Sequence, residues 1–195
     1  GLVGSEMCIR DRGDVVARLT SQIAGGTEFI VPMGERADPQ TVQFGNHVDT
    51  EPVGVLAWEA TRIASGIPRI GLDTDARTIP NEIGLYATHL DKGCYRGQET
   101  VARVHNLGRP PRRLTMLMLD GSDAELPDPG ASVILEGRKV GQLGGVALHH
   151  ELGPVGLALL KRNVSVDSVL TVDGVAASQT ILVDPEVGLH VRPQL

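Results

Sequence analysis

One short segment of the chain combines a thiol, cations and glycines: Lys92-Gly93-Cys94-Tyr95-Arg96-Gly97-Gln98-Glu99. Cys94 precedes a helix predicted to begin near Gly97, where unpaired backbone N–H groups and the helix dipole favour negative charge. Lys92 and Arg96 add positive potential, and reactive thiolates are found in such surroundings. Gly93 and Gly97 allow a tight turn and a close approach of the backbone to a ligand. The segment therefore predicts a reactive thiol at Cys94.

A simpler interpretation of the same segment also fits its local chemistry. Free cysteine is often a small buried residue, so Cys94 could fill a gap beneath the helix. Gln98 and Glu99 would then be present because the first turn of a helix favours them. The residues alone leave both interpretations open.

Two helices are predicted around this segment. The first runs from Val53 to Ser65, begins after Pro52 and ends at Gly66, with apolar residues at helical spacing. The second covers 97–107 and places Val101 and Val104 on one face. Between the helices, residues 67–83 contain two prolines and predict a structured loop. Its Asp73-Thr74-Asp75 lacks the residues at 77 and 78 that a calcium loop needs, so we expect no calcium site there.

Strands are predicted at both ends of the chain. Residues 15–19 and 27–32 predict two strands joined by a glycine turn. After Pro110-Pro111, six Val- and Leu-rich runs are separated by turn signals, which favours a small closed or Greek-key barrel; the runs are 112–120, 131–136, 139–148, 155–161, 169–173 and 179–184. Glycines at 141, 144 and 145 suggest β-bulges in the third run. We place the domain boundary at 110/111, giving domains at 13–110 and 111–195.

Composition limits the class of protein. The 195 residues carry a net charge of −6, which opposes long-range attraction to nucleic-acid phosphates, so direct nucleic-acid binding is not expected. Two cysteines in unrelated positions favour neither a structural metal site nor a disulfide framework, so we expect no metal held by this chain alone. The chain lacks a membrane-spanning run and a secretory signal, which predicts a cytoplasmic protein without membrane partners.

Residues 1–12, GLVGSEMCIRDR, have no helical or strand periodicity. They resemble a translated sequencing-adaptor peptide found at the ends of some metagenomic sequences. We therefore expect this segment, including Cys8, not to be native, and we expect the protein to begin further upstream.

The run from Lys92 to Glu99, continuing through Thr100-Val101-Ala102-Arg103, resembles the signature of the YgfZ branch of the YgfZ/GcvT folate-binding family. The resemblance extends upstream to Arg62-Ile63, Gly66-Ile67-Pro68-Arg69 and Thr78-Ile79-Pro80-Asn81-Glu82. Downstream it includes the run from Gly108 to Leu114 and the predicted barrel. Specific Cys, Tyr and Gln positions make this match more discriminating than a glycine motif.

The resemblance implies an α+β fold, in which the remainder of a GcvT-like folate-binding α/β domain precedes a six-stranded Greek-key barrel. It implies a tetrahydrofolate-binding accessory protein that supports iron–sulfur cluster assembly or repair and affects tRNA modification indirectly, and we expect it not to be an enzyme. Its expected partners are iron–sulfur client proteins or assembly factors. Cys94 corresponds to the signature thiol, and the expected ligand-binding residues are Lys92, Tyr95, Arg96, Gln98, Glu99 and Arg103.

Other functions remain open from the sequence. Relatives often carry Glu where this chain has Ala64, and this absence of a carboxylate weakens a second interpretation, a folate-dependent aminomethyltransferase of the glycine cleavage type. A third is a barrel interaction module without a ligand. The cations at 96, 103, 105, 109, 112 and 113 fit the carboxylates of a glutamylated folate tail or a solvated surface equally well, and an RNA contact less well.

Overall fold

The computed structural model describes residues 17–20, 27–30, 53–85, 93–107, 110–122 and 125–186. Its helical elements are α1 (Val55–Ala64), a 3₁₀ turn (Pro80–Ile83) and α2 (Gln98–Leu107). Its strands are β1 (Ala17–Thr20), β2 (Thr27–Ile30), β3 (Arg112–Leu119), β4 (Ser132–Leu135), β5 (Arg138–His149), β6 (Gly153–Lys161), β7 (Leu170–Val172) and β8 (Val175–Ile181). The adaptor-like segment 1–12 lies outside the described residues.

The six strands β3 to β8 form a closed antiparallel barrel in the order β3-β6-β5-β4-β7-β8. Strands β4, β5 and β6 follow one another as hairpins, and β7 returns to lie beside β4. The resulting spatial order β7-β4-β5-β6 is that of a Greek key. The predicted six-stranded barrel is therefore confirmed, and β1 with β2 form a separate antiparallel hairpin.

Local backbone geometry explains where the barrel strands bend and turn. The register of β5 against β6 shifts between Leu143 and Val146, so the glycine-rich stretch does contain a bulge. The last strand begins at Val175, four residues before the predicted start at 179. The difference arises because Asp173 and Gly174 both have positive φ angles (49° and 87°), as in a tight type I′ hairpin turn that leads directly into β8.

Two apolar clusters lie on opposite faces of the barrel wall. The interior is filled by side chains that include Leu117, Leu143 and Leu160. The outer face of β3 and β6, including Leu114 and Leu157, belongs to one apolar cluster with Ala60 and Ile63 of α1. The helix itself lies mainly against β5 and also contacts β6. The burial of both faces explains the near-continuous apolar character of β3 and β6.

Helix α1 is shorter than predicted but ends where the glycine indicated. The Gly66 N–H bonds to the Ile63 carbonyl and the Ile67 N–H bonds to the Arg62 carbonyl, which together form a Schellman motif. Gly66 has a φ of +70°, a conformation that favours glycine. Ile63 is completely buried against the barrel, so the helix is held by its apolar face.

In the described part of the chain, no helix has the length and apolar character needed to cross a membrane. The α+β region upstream of the barrel is represented by the β1–β2 hairpin, α1, the 3₁₀ turn and α2. Its folate-binding character and the domain boundary at 110/111 stay predictions.

Candidate functional site

Cys94 is exposed, and its thiol is free. It lies in the short irregular segment that precedes α2, four residues before the helix begins. The structure therefore presents the sulfur to solvent instead of burying it beneath the helix. The simpler interpretation of Cys94 as a small packing residue is therefore wrong.

A tight turn holds the segment that carries the thiol. The Gln98 N–H bonds to the Tyr95 carbonyl at 3.3 Å, and the Gln98 side chain accepts the Tyr95 N–H at 3.1 Å. Gly97 occupies the third position of this turn with a φ of +79°, as a type II turn requires. Both Gly97 and the Oε1 atom of Gln98 therefore contribute to the shape of the loop.

The other predicted ligand residues lie mostly on the surface of the same segment. Tyr95 is half-buried, whereas Arg96, Glu99 and Arg103 are exposed. Lys92 lies outside the described residues. Within the described ranges, none of these side chains lines the pocket of about 850 Å³ that is described below. Their role as folate ligands stays a prediction.

Arg112 is bound within the protein and is not a free surface cation. Its Nε donates to Glu82 Oε1 at 2.8 Å, and its Nη1 donates to Asp75 Oδ2 at 2.7 Å. The bond to the fully buried Glu82, and then that to Asp75, raises the pKa of Arg112. The hydrogen bond from Arg112 is the main reason why the pKa of Asp75 lies well below its usual range. Arg112 therefore joins β3 to the segment 67–83, which contains both of its acidic partners.

Arg113 closes one end of the barrel interior. It is 1% exposed and donates to the Gln179 side chain at 2.7 Å and to the Val164 carbonyl at 3.2 Å. Burial, followed by the charge of Arg162, lowers the pKa of its guanidinium. The assignment of Arg112 and Arg113 to a folate tail is therefore wrong, because both guanidinium groups are committed to internal bonds.

A second buried network fastens α1 and the 67–83 loop to the barrel. Arg62 is 1% exposed and binds Glu59 at 2.7 Å and Asp73 at 2.8 Å. Asp73 also accepts the backbone N–H groups of Arg69 and Gly145, the latter on β5. The two acidic side chains that resembled a calcium loop, Asp73 and Asp75, thus bind arginines.

One pocket that sequence reasoning missed lies between the 70–76 loop and the outer surface of the barrel. Its volume is about 850 Å³, and its lining includes Arg112 on β3, Lys139 on β5 and Lys161 on β6. The available signal was weak: Lys139 and Lys161 stand at the ends of two runs predicted to be strands, but only their pairing brings them together.

Fold and site together define a protein with a closed Greek-key barrel, an α-helix packed on its outer wall, and an exposed cysteine at the start of a second helix. Residues 112–182 match the family described as "CAF17, C-terminal beta-barrel domain". The barrel is thus similar to the carboxy-terminal domain of CAF17.

Curated relatives extend the match beyond the barrel. The chain is 34% identical over 127 residues to the Arabidopsis thaliana protein named "Putative transferase At1g60990, chloroplastic", which covers 62% of this chain and 28% of that protein. It is 34% identical over 132 residues to "tRNA-modifying protein YgfZ" of Edwardsiella ictaluri, and the match covers 64% of this chain and 39% of that protein. It is 32% identical over 99 residues to the protein of the same name from Colwellia psychrerythraea, and the match covers 48% of this chain and 30% of that protein.

These matches confirm the resemblance to the YgfZ branch of the YgfZ/GcvT family. The chain spans well under half the length of these curated relatives, with 28% to 39% of each covered.

Proposed function

We propose that the protein is a tetrahydrofolate-binding accessory factor of the YgfZ type, in which Cys94 is the reactive thiol. It supports the assembly or repair of iron–sulfur proteins in the cytoplasm and affects tRNA modification through them. The relatives named "tRNA-modifying protein YgfZ" support the link to tRNA modification. The resemblance of residues 92–103 to the family signature supports the folate and iron–sulfur roles.

The observation that carries the proposal is the exposed thiol of Cys94 on a preformed turn before α2. A thiol must be reachable to react with a partner or to bind its metal, and exposure meets this requirement. Because hydrogen bonds between Tyr95 and Gln98 hold the turn, less conformational entropy is lost when a partner binds. A buried structural cysteine would have neither property.

Two exposed cations flank the thiol and can attract an anionic ligand. Arg96 lies two residues after Cys94, and Arg103 lies one and a half turns into α2. Neither makes an ion pair within the described ranges, so both are available for the carboxylates of folate. The folate part of the proposal depends on the family resemblance of residues 92–103.

Replacement of Cys94 tests the role of the thiol. The gene that encodes this chain is expressed in a bacterium that lacks its own YgfZ protein, as the original sequence and as Cys94→Ala. We expect the original to restore iron–sulfur enzyme activities and tRNA thiomodification, and Cys94→Ala to leave both at the level of the deletion strain. The loss should follow from the missing sulfur, because an exposed side chain contributes little to folding.

The matched control is Asp167→Ala, which removes an exposed side chain of a barrel turn outside the 92–103 segment and should restore both activities fully. Equal soluble amounts and equal circular dichroism spectra exclude misfolding. Full activity of a folded Cys94→Ala variant would contradict the proposal. Calorimetry with tetrahydrofolate tests the ligand separately, and production of methylenetetrahydrofolate from an aminomethyl donor would instead indicate a transferase.

A further inference from the structure

The pocket beside the 70–76 loop contains none of the residues in the 92–103 segment and is a site of its own. With a volume of about 850 Å³, it falls within the range of small-molecule pockets. Its walls come from the loop and from three adjacent barrel strands, β3, β6 and β5. A rigid barrel surface therefore forms one side of the pocket.

Basic side chains from all three strands converge on this pocket. Arg112 and Lys161 are register partners in β3 and β6, and the Lys161 Nζ donates to the Lys139 carbonyl on β5 at 3.1 Å. That bond holds the Lys161 ammonium beside the strand that carries Lys139. Strand pairing thus places the two lysines together, although they lie far apart along the chain.

Each acidic side chain of the lining is already bound to an arginine. Asp73 binds Arg62 and two backbone N–H groups, and Asp75 binds Arg112. By contrast, neither Lys139 nor Lys161 has a carboxylate within 4 Å in the described ranges. Lys139 and Lys161 are therefore the cations of the lining that remain available to an anionic ligand.

Apolar surface surrounds these cations. Leu72 and Leu159 line the pocket, and Ile70 stands at its edge with 93% of its surface exposed. An isoleucine this exposed leaves apolar area that a ligand can cover, a gain of about 25 cal/mol for each Å² removed from water. The combination favours a molecule with an apolar body and one anionic group.

We propose that this pocket binds a small organic anion, with its carboxylate or phosphate held by Lys139 and Lys161 and its apolar body against Ile70, Leu72 and Leu159. A charged hydrogen bond to an ammonium group is stronger than one between neutral groups, so the lysines determine the sign of the ligand. The apolar wall adds affinity without selecting a functional group. The site is independent of Cys94 and of the function proposed above.

Three probes with the same ring system test this site by calorimetry on the full chain. The probes are 1-naphthoate, 1-naphthyl phosphate and the neutral 1-naphthalenemethanol. We expect one or both anions to bind and the neutral alcohol to bind at least tenfold more weakly, as loss of a charged hydrogen bond implies. The stronger of the two anions identifies the ligand as a carboxylate or a phosphate.

Variants locate the binding in the pocket. Lys139→Gln and Lys161→Gln should each weaken binding of the anion about tenfold. Ile70→Ser should weaken all three probes because it removes apolar wall. The matched control is Arg138→Gln, which removes a neighbouring exposed cation of β5 that does not line the pocket, and should leave binding unchanged.

Three results would overturn the proposal. They are absence of binding at millimolar probe, equal affinity for the alcohol and the anions, and unchanged affinity in Lys139→Gln and Lys161→Gln. The substituted side chains at positions 70, 138, 139 and 161 are all exposed, so the variants should fold. Thermal unfolding curves would verify this. Because no step involves Cys94, these results are separate from the outcome of the iron–sulfur experiment.

Discussion

At the scale of single residues, the arginines of this chain have two different uses. Arg62 and Arg113 are almost completely buried, and each makes several internal hydrogen bonds. Arg96 and Arg103 are exposed on the segment with the thiol. A guanidinium carries five donors in a rigid fork, which suits it both to join elements and to bind a carboxylate ligand. The residues around each arginine in space decide whether it joins elements or stays available to a ligand.

Asp75 allows a residue-scale prediction about pH. Arg112 lowers the pKa of Asp75 below its usual value of about 3.9, so the folded chain favours the ionised carboxylate more than the unfolded chain does. This contribution to stability is complete above about pH 4 and is lost as the pH falls towards the lowered pKa. Asp75→Asn should therefore be less stable than the original at pH 7, by about 1 kcal/mol or less because the carboxylate is half exposed, and the difference should shrink in acid.

Urea unfolding at a series of pH values between 2 and 7 measures this difference. Asp167→Asn is the control, because Asp167 is exposed and makes no ion pair among the described residues. A stability difference for Asp75→Asn that stays constant down to pH 2 would show that the ion pair with Arg112 does not form.

At the scale of elements, the 67–83 loop is fastened to β5 by close backbone packing. A Cβ atom at Gly144 would clash with Asp73 Oδ1 and would lie 2.7 Å from Asp73 Cα. One at Gly145 would lie 2.6 Å from Arg62 Nη2. These glycines are therefore required because the buried Arg62–Asp73 pair lies directly against the strand.

Gly144→Ala tests this packing. We expect the substitution to lower the free energy of unfolding by about 1–3 kcal/mol, because the methyl group must displace a buried ion pair or the strand itself. Gly93→Ala is the matched control, since a Cβ there meets nothing within 4 Å and should change stability by less than about 0.5 kcal/mol. Thermal and urea unfolding measure both, and equal effects would show that the loop does not lie against β5.

At the scale of the whole molecule, the barrel wall has apolar residues on both faces. The interior cluster includes Leu117, and the outer cluster includes Ile63 of α1 with Leu114 and Leu157 of the barrel. Because alternate residues of β3 point to opposite faces, the same strand contributes to both clusters. Loss of either cluster should therefore weaken the other.

Ile63→Ala tests whether α1 and the barrel unfold together. Ile63 and Leu117 are both 0% exposed, and truncation of either should cost about 3 kcal/mol. We expect the helix and the strands of Ile63→Ala to unfold together in one transition at lower stability, and we expect the same for Leu117→Ala. Hydrogen exchange of β3 amides gives the measurement. Unchanged protection of β3 in Ile63→Ala would mean that the helix unfolds independently of the barrel.

Patterns that depend on neighbours along the chain were readable from the sequence. Helical spacing with Gly66 as the stop predicted α1, and β-branched runs between turn signals predicted six strands and a bulge at the glycines. The signature around Cys94 predicted a resemblance to the YgfZ branch, which the comparisons confirm. These features depend on the conformational preferences and the types of residues that are close together along the chain. The sequence states both directly.

Features that depend on distant residues were decided by the tertiary structure. The sequence did not decide whether Cys94 is buried or exposed, and it left Arg112 and Arg113 as either folate-tail ligands or surface cations. It gave only a weak sign of the Lys139–Lys161 pocket. Each depends on partners between about 20 and 70 positions away: Glu82 for Arg112, Gln179 for Arg113, and strand pairing for the two lysines. Burial and charge compensation belong to a residue's surroundings in space, and only the closed barrel creates those surroundings.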